Sequence, residues 1–208
     1  MARRPLTIPR KNASQERSRA TVDTLIEATA RILVKEGFDK ASTNRIAEKA
    51  GVSVGSLYQY FPGKEALVAA VMERHSQELI QVARGVLTEV AKLPMEQAIR
   101  KLVTTALEAH RIDPKLHRVL AEQIPRTGKL EHIEAFNREN YTLFRTYLEA
   151  HRNEFRAVDP GLAAFVCVTS IEALTHTAVL HHSEMLSNDA TTEALVDEAT
   201  RLVVRYLQ

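Results

Sequence analysis

Cysteine occurs once in the 208 residues, at Cys167. One cysteine excludes an internal disulfide and any metal site built on several thiolates. It agrees with a reducing compartment, so the cytoplasm is the expected location. Glycine and proline are also scarce, seven of each, which favours long helices over an all-β fold. No apolar run follows the basic N-terminus, so no signal peptide is expected. The chain contains no H-E-x-x-H, no phosphate-binding Gly-rich loop and no G-x-S-x-G elbow. Neither an enzyme nor a cofactor is therefore expected. Cys167 stands in apolar company and reads as a small buried hydrophobe rather than a redox sensor.

What is present is enough apolar material for a core and an uneven distribution of charge. Hydrophobic residues make up 45% and charged residues 26%, with a formal net charge of +2. Residues 1–64 hold twelve Lys/Arg against six Asp/Glu, and residues 65–208 hold sixteen against twenty. A basic excess confined to one segment is the footprint expected of a polyanion-binding part. Residues 1–18 read as a basic flexible arm, with Arg3, Arg4, Arg10, Lys11 and Arg17 among Pro5, Pro9 and polar residues. Such an arm either lies along DNA or remains a solvated tail.

The stretch from Gly51 to Leu67, GVSVGSLYQYFPGKEAL, organises the rest. Gly51 can take the positive φ that ends a helix. Ser53 is a good N-cap, and Pro62-Gly63 closes the helix after about two turns. The preceding segment, Thr43 to Ala50, has a candidate cap in Thr43 and apolar Ile46, Ala47 and Ala50. Two short helices joined by a Gly-containing turn outline a helix-turn-helix. Leu57 and Phe61, four apart, define its buried side. Ser53, Val54, Gly55, Ser56, Tyr58, Gln59 and Tyr60 are left for the outer side, small at first and then rich in hydroxyls and amides. Such groups can reach phosphates or base edges. Lys64 adds a cation at the start of the next helix. On pattern alone, a packed helical hairpin with exposed tyrosines remains the alternative.

These residues carry a resemblance to the TetR family of transcriptional regulators. The matching positions are Thr43, Ile46, Ala47, Ala50, Gly51, Val52, Ser53, Gly55, Leu57, Tyr58, Tyr60, Phe61, Lys64 and Leu67. The run from Ile32 to Ser42 resembles the family's end of helix one, with Gly37-Phe38 closing it. The likeness covers roughly residues 19–72, and Tyr60 stands where the family often has His. It implies an all-α fold: an N-terminal three-helix bundle with a helix-turn-helix, then a larger helical ligand-binding and dimerisation domain. The expected division is 1–18 arm, 19–64 DNA-binding domain and 65–208 ligand-binding domain. The implied function is a homodimeric repressor released from a near-palindromic operator by a small molecule. DNA contacts are expected at Thr43, Ser53, Val54, Gly55, Ser56, Tyr58, Gln59, Tyr60 and Lys64.

The remainder reads as successive helices. Helix one is expected over Thr21–Glu36, giving with the helix-turn-helix a core of Leu25, Ile26, Ile32, Leu33, Phe38, Ile46, Leu57 and Phe61. A long helix from Lys64 should connect the basic and acidic parts. From Leu162 to Leu180 the only charge is Glu172. Its Glu, Thr, Ser and His content argues against a membrane span. Helices near 162–182 and 191–207 are therefore expected to form a homodimer interface. Polar groups on apolar faces mark a candidate effector pocket: His75, His110, Asn140, Tyr147 and His176, with Phe136, Phe144 and Phe165 as walls. Aromatic or long-chain apolar molecules are the first candidates. Glu172 and His176 share a helix face, but without a ligand signature no metal is expected. An all-helical interaction module that never touches DNA is the rival reading.

Overall fold

Helix-forming sequence punctuated by a few capping residues yields helices and turns throughout the described residues. The computed structural model describes residues 16–127, 130–156 and 158–208. Among these there are nine α-helices, two 3-10 turns and no strand. The chain divides into two compact units, Met1–His75 with Lys115–Leu130, and Ser76–Pro114 with Glu131–Gln208.

The first unit is built on α1 (Glu16–Glu36), α2 (Thr43–Ala50), α3 (Val54–Tyr60), the first turns of α4 (Lys64–Val90) and most of α6 (Pro114–Thr127). Helix α1 starts at Glu16, so residues 16–18 of the expected arm are helical, and the rest of that arm lies outside the described residues. Its acidic first turn and Lys35 in its last turn suit the helix dipole. Leu25, Ile26, Ile32 and Leu33 bury along one stripe with Ile46, Leu57 and Phe61, and Phe38 packs against them half-buried. All eight expected core positions therefore meet in one cluster. The buried hydroxyl of Thr29 is satisfied by donating to the Leu25 carbonyl at 2.7 Å.

The expected boundary at Lys64 is displaced. Leu67, Val68, Val71 and Met72 of α4 and Leu120 of α6 belong to this same core. The division therefore falls after His75, and a segment distant in sequence joins the first unit. The cause is burial: α4 cannot leave the first unit until its apolar stripe has been covered there.

The second unit contains the rest of α4, α5 (Met95–Arg111), α7 (Leu130–Ala150), α8 (Pro160–His181) and α9 (Asp189–Leu207). Helix α5 packs on both α8 and α9. Ile99, Val103 and Leu107 of α5 bury with Ala164, Cys167 and Ile171 of α8 and Val196, Ala199 and Val203 of α9. Arg100 of α5 pairs with both Glu193 and Asp197 of α9. Asp159 caps α8 by accepting from the Leu162 N–H at 2.8 Å, with Pro160 in its first turn. Helix α8 is long and apolar enough to cross a membrane by length and composition. One side of it faces the unit's own core, while Leu162, Phe165, Thr169, Ala173 and Thr177 lie exposed along the other.

Candidate nucleic-acid interface and effector cavity

Local capping sets the geometry of the α2–α3 pair. Ser42, rather than the expected Thr43, caps α2, accepting from the Arg45 N–H at 3.3 Å. Thr43 thus becomes the first helical residue, and its hydroxyl lies 3.1 Å from that of Tyr58 on α3. Arg45 is held by Glu36 of α1 through its two terminal guanidinium nitrogens, at 2.7 and 2.8 Å. Gly51 takes φ 67°, and its N–H donates to the Ala47 and Glu48 carbonyls. Ser53 caps α3 by accepting from the Ser56 N–H at 3.0 Å, and the two serine hydroxyls lie 2.9 Å apart.

Helix α3 then presents a defined outer row. Gly55, Tyr58 and Gln59 are exposed, Val54 and Ser56 half-buried, and Ser53 exposed at the cap. A Cβ built on Gly55 would meet only Ser53 Oγ, at 3.9 Å. The position is thus open on its outer side, where a backbone can approach another molecule closely.

Two residues expected at the DNA have side chains that the fold engages within the first unit. Tyr60 is buried, with 7% of its surface exposed, inside the first unit's core. It follows Leu57 by three residues, which places both on the inner side of the helix. Lys64 has its ammonium engaged within the protein. It donates to the Phe38 carbonyl at 3.1 Å and lies 4.1 Å above the centre of the Phe38 ring. The loop after α1 brings Phe38 within its reach. On α2, Asn44 and Lys49 are also exposed. They add polar and basic surface that the sequence pattern did not single out.

The second unit contains a partly open cavity of about 90 Å³. Its walls are Leu79, Val82, Ala83 and Leu87 of α4, Leu102, Thr105, Ala106 and Ala109 of α5, Phe136 and Phe144 of α7, and Val168 and Ile171 of α8. Besides the Thr105 hydroxyl, three polar residues interrupt this surface: His110, Asn140 and Glu172. His110 is 3% exposed, and its Nε2 lies 3.2 Å from Glu172 Oε2. The His176 ring meets the His110 ring edge to face at 5.7 Å. Burial, followed by the neighbouring His110, pushes the His176 imidazole below its ordinary value.

Of the eight residues expected in or around the pocket, His110, Phe136, Asn140 and Phe144 line this cavity. The other four do not. His75 belongs to the first unit, where its Nε2 lies 2.9 Å from Nδ1 of His117 on α6. Tyr147 is buried beside the cavity wall, stacked on Phe144 with ring centres 5.9 Å apart. Phe165 is half exposed and touches Tyr141, ring centres 5.6 Å apart. His176 stands behind His110 rather than on the lining. Each sits on an apolar stripe, but a stripe fixes only which side of a helix is inward, not which neighbour it meets. Among the described residues no cluster of three or more His, Cys, Asp or Glu could hold a metal.

Residues 25–71 match the sequence profile of "Bacterial regulatory proteins, tetR family", and residues 94–207 match that of "Tetracyclin repressor-like, C-terminal domain". The chain belongs to the TetR family. Nucleoid occlusion factor SlmA of Haemophilus ducreyi is 28% identical over 116 residues, 56% of this chain and 55% of that protein. The chain spans about half the length of the curated relatives it matches. Among solved structures, the fatty acid degradation regulator FadR from Bacillus halodurans has a TM-score of 0.69 at 20% identity, covering 93% of this chain and 96% of that one. FadR from Bacillus subtilis, solved with stearoyl-CoA, has a TM-score of 0.67 at 19% identity, covering 88% and 97%. At these identities the likeness establishes the fold.

Within this TetR-family chain, His117 is a polar residue whose placement sequence reasoning missed. The pattern puts Glu172 on one face with His176 and reads the pair as polar lining of a pocket or interface rather than a metal site, and Glu172 does line the cavity. His117 had no local signal, since its partner His75 is 42 residues away.

Proposed function

We propose that this TetR-family chain is a cytoplasmic transcriptional repressor that binds a near-palindromic DNA operator as a homodimer and leaves it when a small molecule binds. The observation that carries this reading is the outer row of α3. Gly55, Tyr58 and Gln59 stand exposed on a short helix capped at Ser53 and braced to α2 by the Thr43–Tyr58 contact. A short helix with a small residue first and an amide later suits close approach to a major groove followed by base reading. Ser53, Thr43 and Ser56 offer neutral donors for phosphates. Val54 contributes apolar contact, as to a thymine methyl.

The exposed apolar stripe of α8, with Leu202 half exposed on α9, supports a dimer. Two recognition helices must stand about 34–36 Å apart to engage successive half-sites. The cavity supports an effector, since its lining includes residues of α4, whose first turns lie in the DNA-binding unit. A ligand bound more tightly by the DNA-incompetent state would release the operator, with a coupling of about 1–3 kcal/mol.

The test is fluorescence anisotropy of the full chain on duplexes from the neighbourhood of its own gene, alongside sedimentation. The expected results are a dimer, a salt-dependent affinity, and one preferred duplex. Gln59→Ala should weaken the preferred duplex by about 5- to 150-fold (about 1–3 kcal/mol) with little effect on unrelated DNA. Phe165→Glu should yield monomers that no longer hold the operator. No discrimination among duplexes, or a wild-type monomer at micromolar concentration, would return the chain to the rival reading of an interaction module.

A further inference from the structure

We infer that the cavity takes a small apolar cation, a hydrocarbon body carrying a protonated amine. This rests on the effector role proposed for the cavity and names the chemistry it selects. The carrying observation is the Glu172 side chain, the one described acidic group on a largely apolar lining, with its Oε2 3.2 Å from His110 Nε2. A carboxylate accepts on two oxygens, so the His110 contact leaves acceptor capacity directed at an occupant. Among the described residues that line the cavity, Glu172 is the one acidic side chain, and no Lys or Arg is present. Arg84, next to the lining residue Ala83, is paired with Glu139.

The sign of that charge decides the class of ligand. A ligand carboxylate or phosphate would lose hydration to face a like charge in an apolar site, which is unfavourable twice over. An ammonium would instead meet a carboxylate of opposite charge, held in place by His110. Phe136 and Phe144, eight residues apart on α7, add aromatic surface, whose faces attract cations. Asn140, midway between them on the same stripe, supplies a carbonyl acceptor.

Three probes of one shape separate the possibilities: 2-phenylethylamine, 2-phenylethanol and 3-phenylpropionate, titrated calorimetrically into the full-length protein. The expected order is amine tightest, by at least 10-fold over the alcohol, with no measurable binding of the carboxylate. Glu172→Gln should remove the amine's advantage and leave the alcohol unchanged. Ala106→Leu, which fills the cavity with an apolar side chain, should weaken all binding. If the alcohol or the carboxylate binds as tightly as the amine, the charge selection is wrong while the cavity remains an effector site. If none of the three binds the wild-type chain, both readings fall. The ranking on the wild-type chain decides the matter even where a variant folds poorly.

Discussion

The Lys64 ammonium donates to the Phe38 carbonyl at 3.1 Å and lies 4.1 Å above the Phe38 ring. A residue at the edge of the DNA-binding unit is thus tied to the loop that joins α1 to α2. A hydrogen bond to a charged group contributes about 1.5–3 kcal/mol and a cation over a ring about 0.5–1 kcal/mol at an exposed site. Lys64→Ala should therefore destabilise the protein by about 2 kcal/mol in a denaturant titration. Lys64→Met, which keeps the apolar stem, should lose nearly as much. Full stability with weakened DNA binding would instead assign the ammonium to a phosphate.

Two glycines of the α2–α3 region should respond to alanine in opposite ways. Gly51 sits at φ 67° with nothing within 4 Å of a built Cβ, so the cost of a side chain is conformational alone. Gly51→Ala should destabilise by about 1–2 kcal/mol. Gly55 lies within α3 and has room for a Cβ. Gly55→Ala should stabilise or leave unchanged the thermal midpoint while lowering DNA affinity, because the methyl group stands on the approaching face. Unchanged DNA affinity would remove Gly55 from the interface.

Burial pushes the Cys167 thiol up to about 12. At pH 8–9 the folded protein should therefore react with iodoacetamide far more slowly than a free thiol, and unfolding in guanidinium should restore the ordinary rate. The chain has a single cysteine, so mass spectrometry of the intact protein reads this site alone. Rapid labelling of the native state would place Cys167 at an accessible surface.

His176 has an imidazole pushed below its usual 6.5, first by burial and then by His110. The unfolded chain then binds more protons than the folded one as pH falls below about 6.5. Its contribution is fully present above that pH and is lost progressively as pH drops through the lower folded value. Replacing it, as in His176→Gln, should flatten stability against pH in that window and leave the slope at pH 7–8 unchanged. A slope of wild-type size in the variant would show that other groups carry the acid sensitivity.

The helix-turn-helix was legible because its signals are local. Gly51 and Ser53 act through bonds to residues three or four positions away. Leu57 identified the inner side correctly for the same reason. Tyr60 was misplaced because a seven-residue helix has little more than two positions on its inner face, and pattern alone paired Leu57 with Phe61. The structure buries both Tyr60 and Phe61, since Phe61 leaves the helix with extended backbone and still points into the core.

By itself the sequence determined the all-helical class, the capped α2–α3 turn, the apolar stripe of each helix and the family. Propensity, capping and periodicity act over at most a few turns of one helix, and these properties need nothing more. Tertiary structure decided which inward polar groups share a site. His110 meets Glu172 across 62 residues, and His75 meets His117 across 42. Every candidate lay on an apolar stripe, so periodicity ranked them alike. Only the packing of α4, α5, α7 and α8 around one cavity separated His110 and Asn140 from His75, Tyr147 and His176, and placed the carboxylate of Glu172 among them.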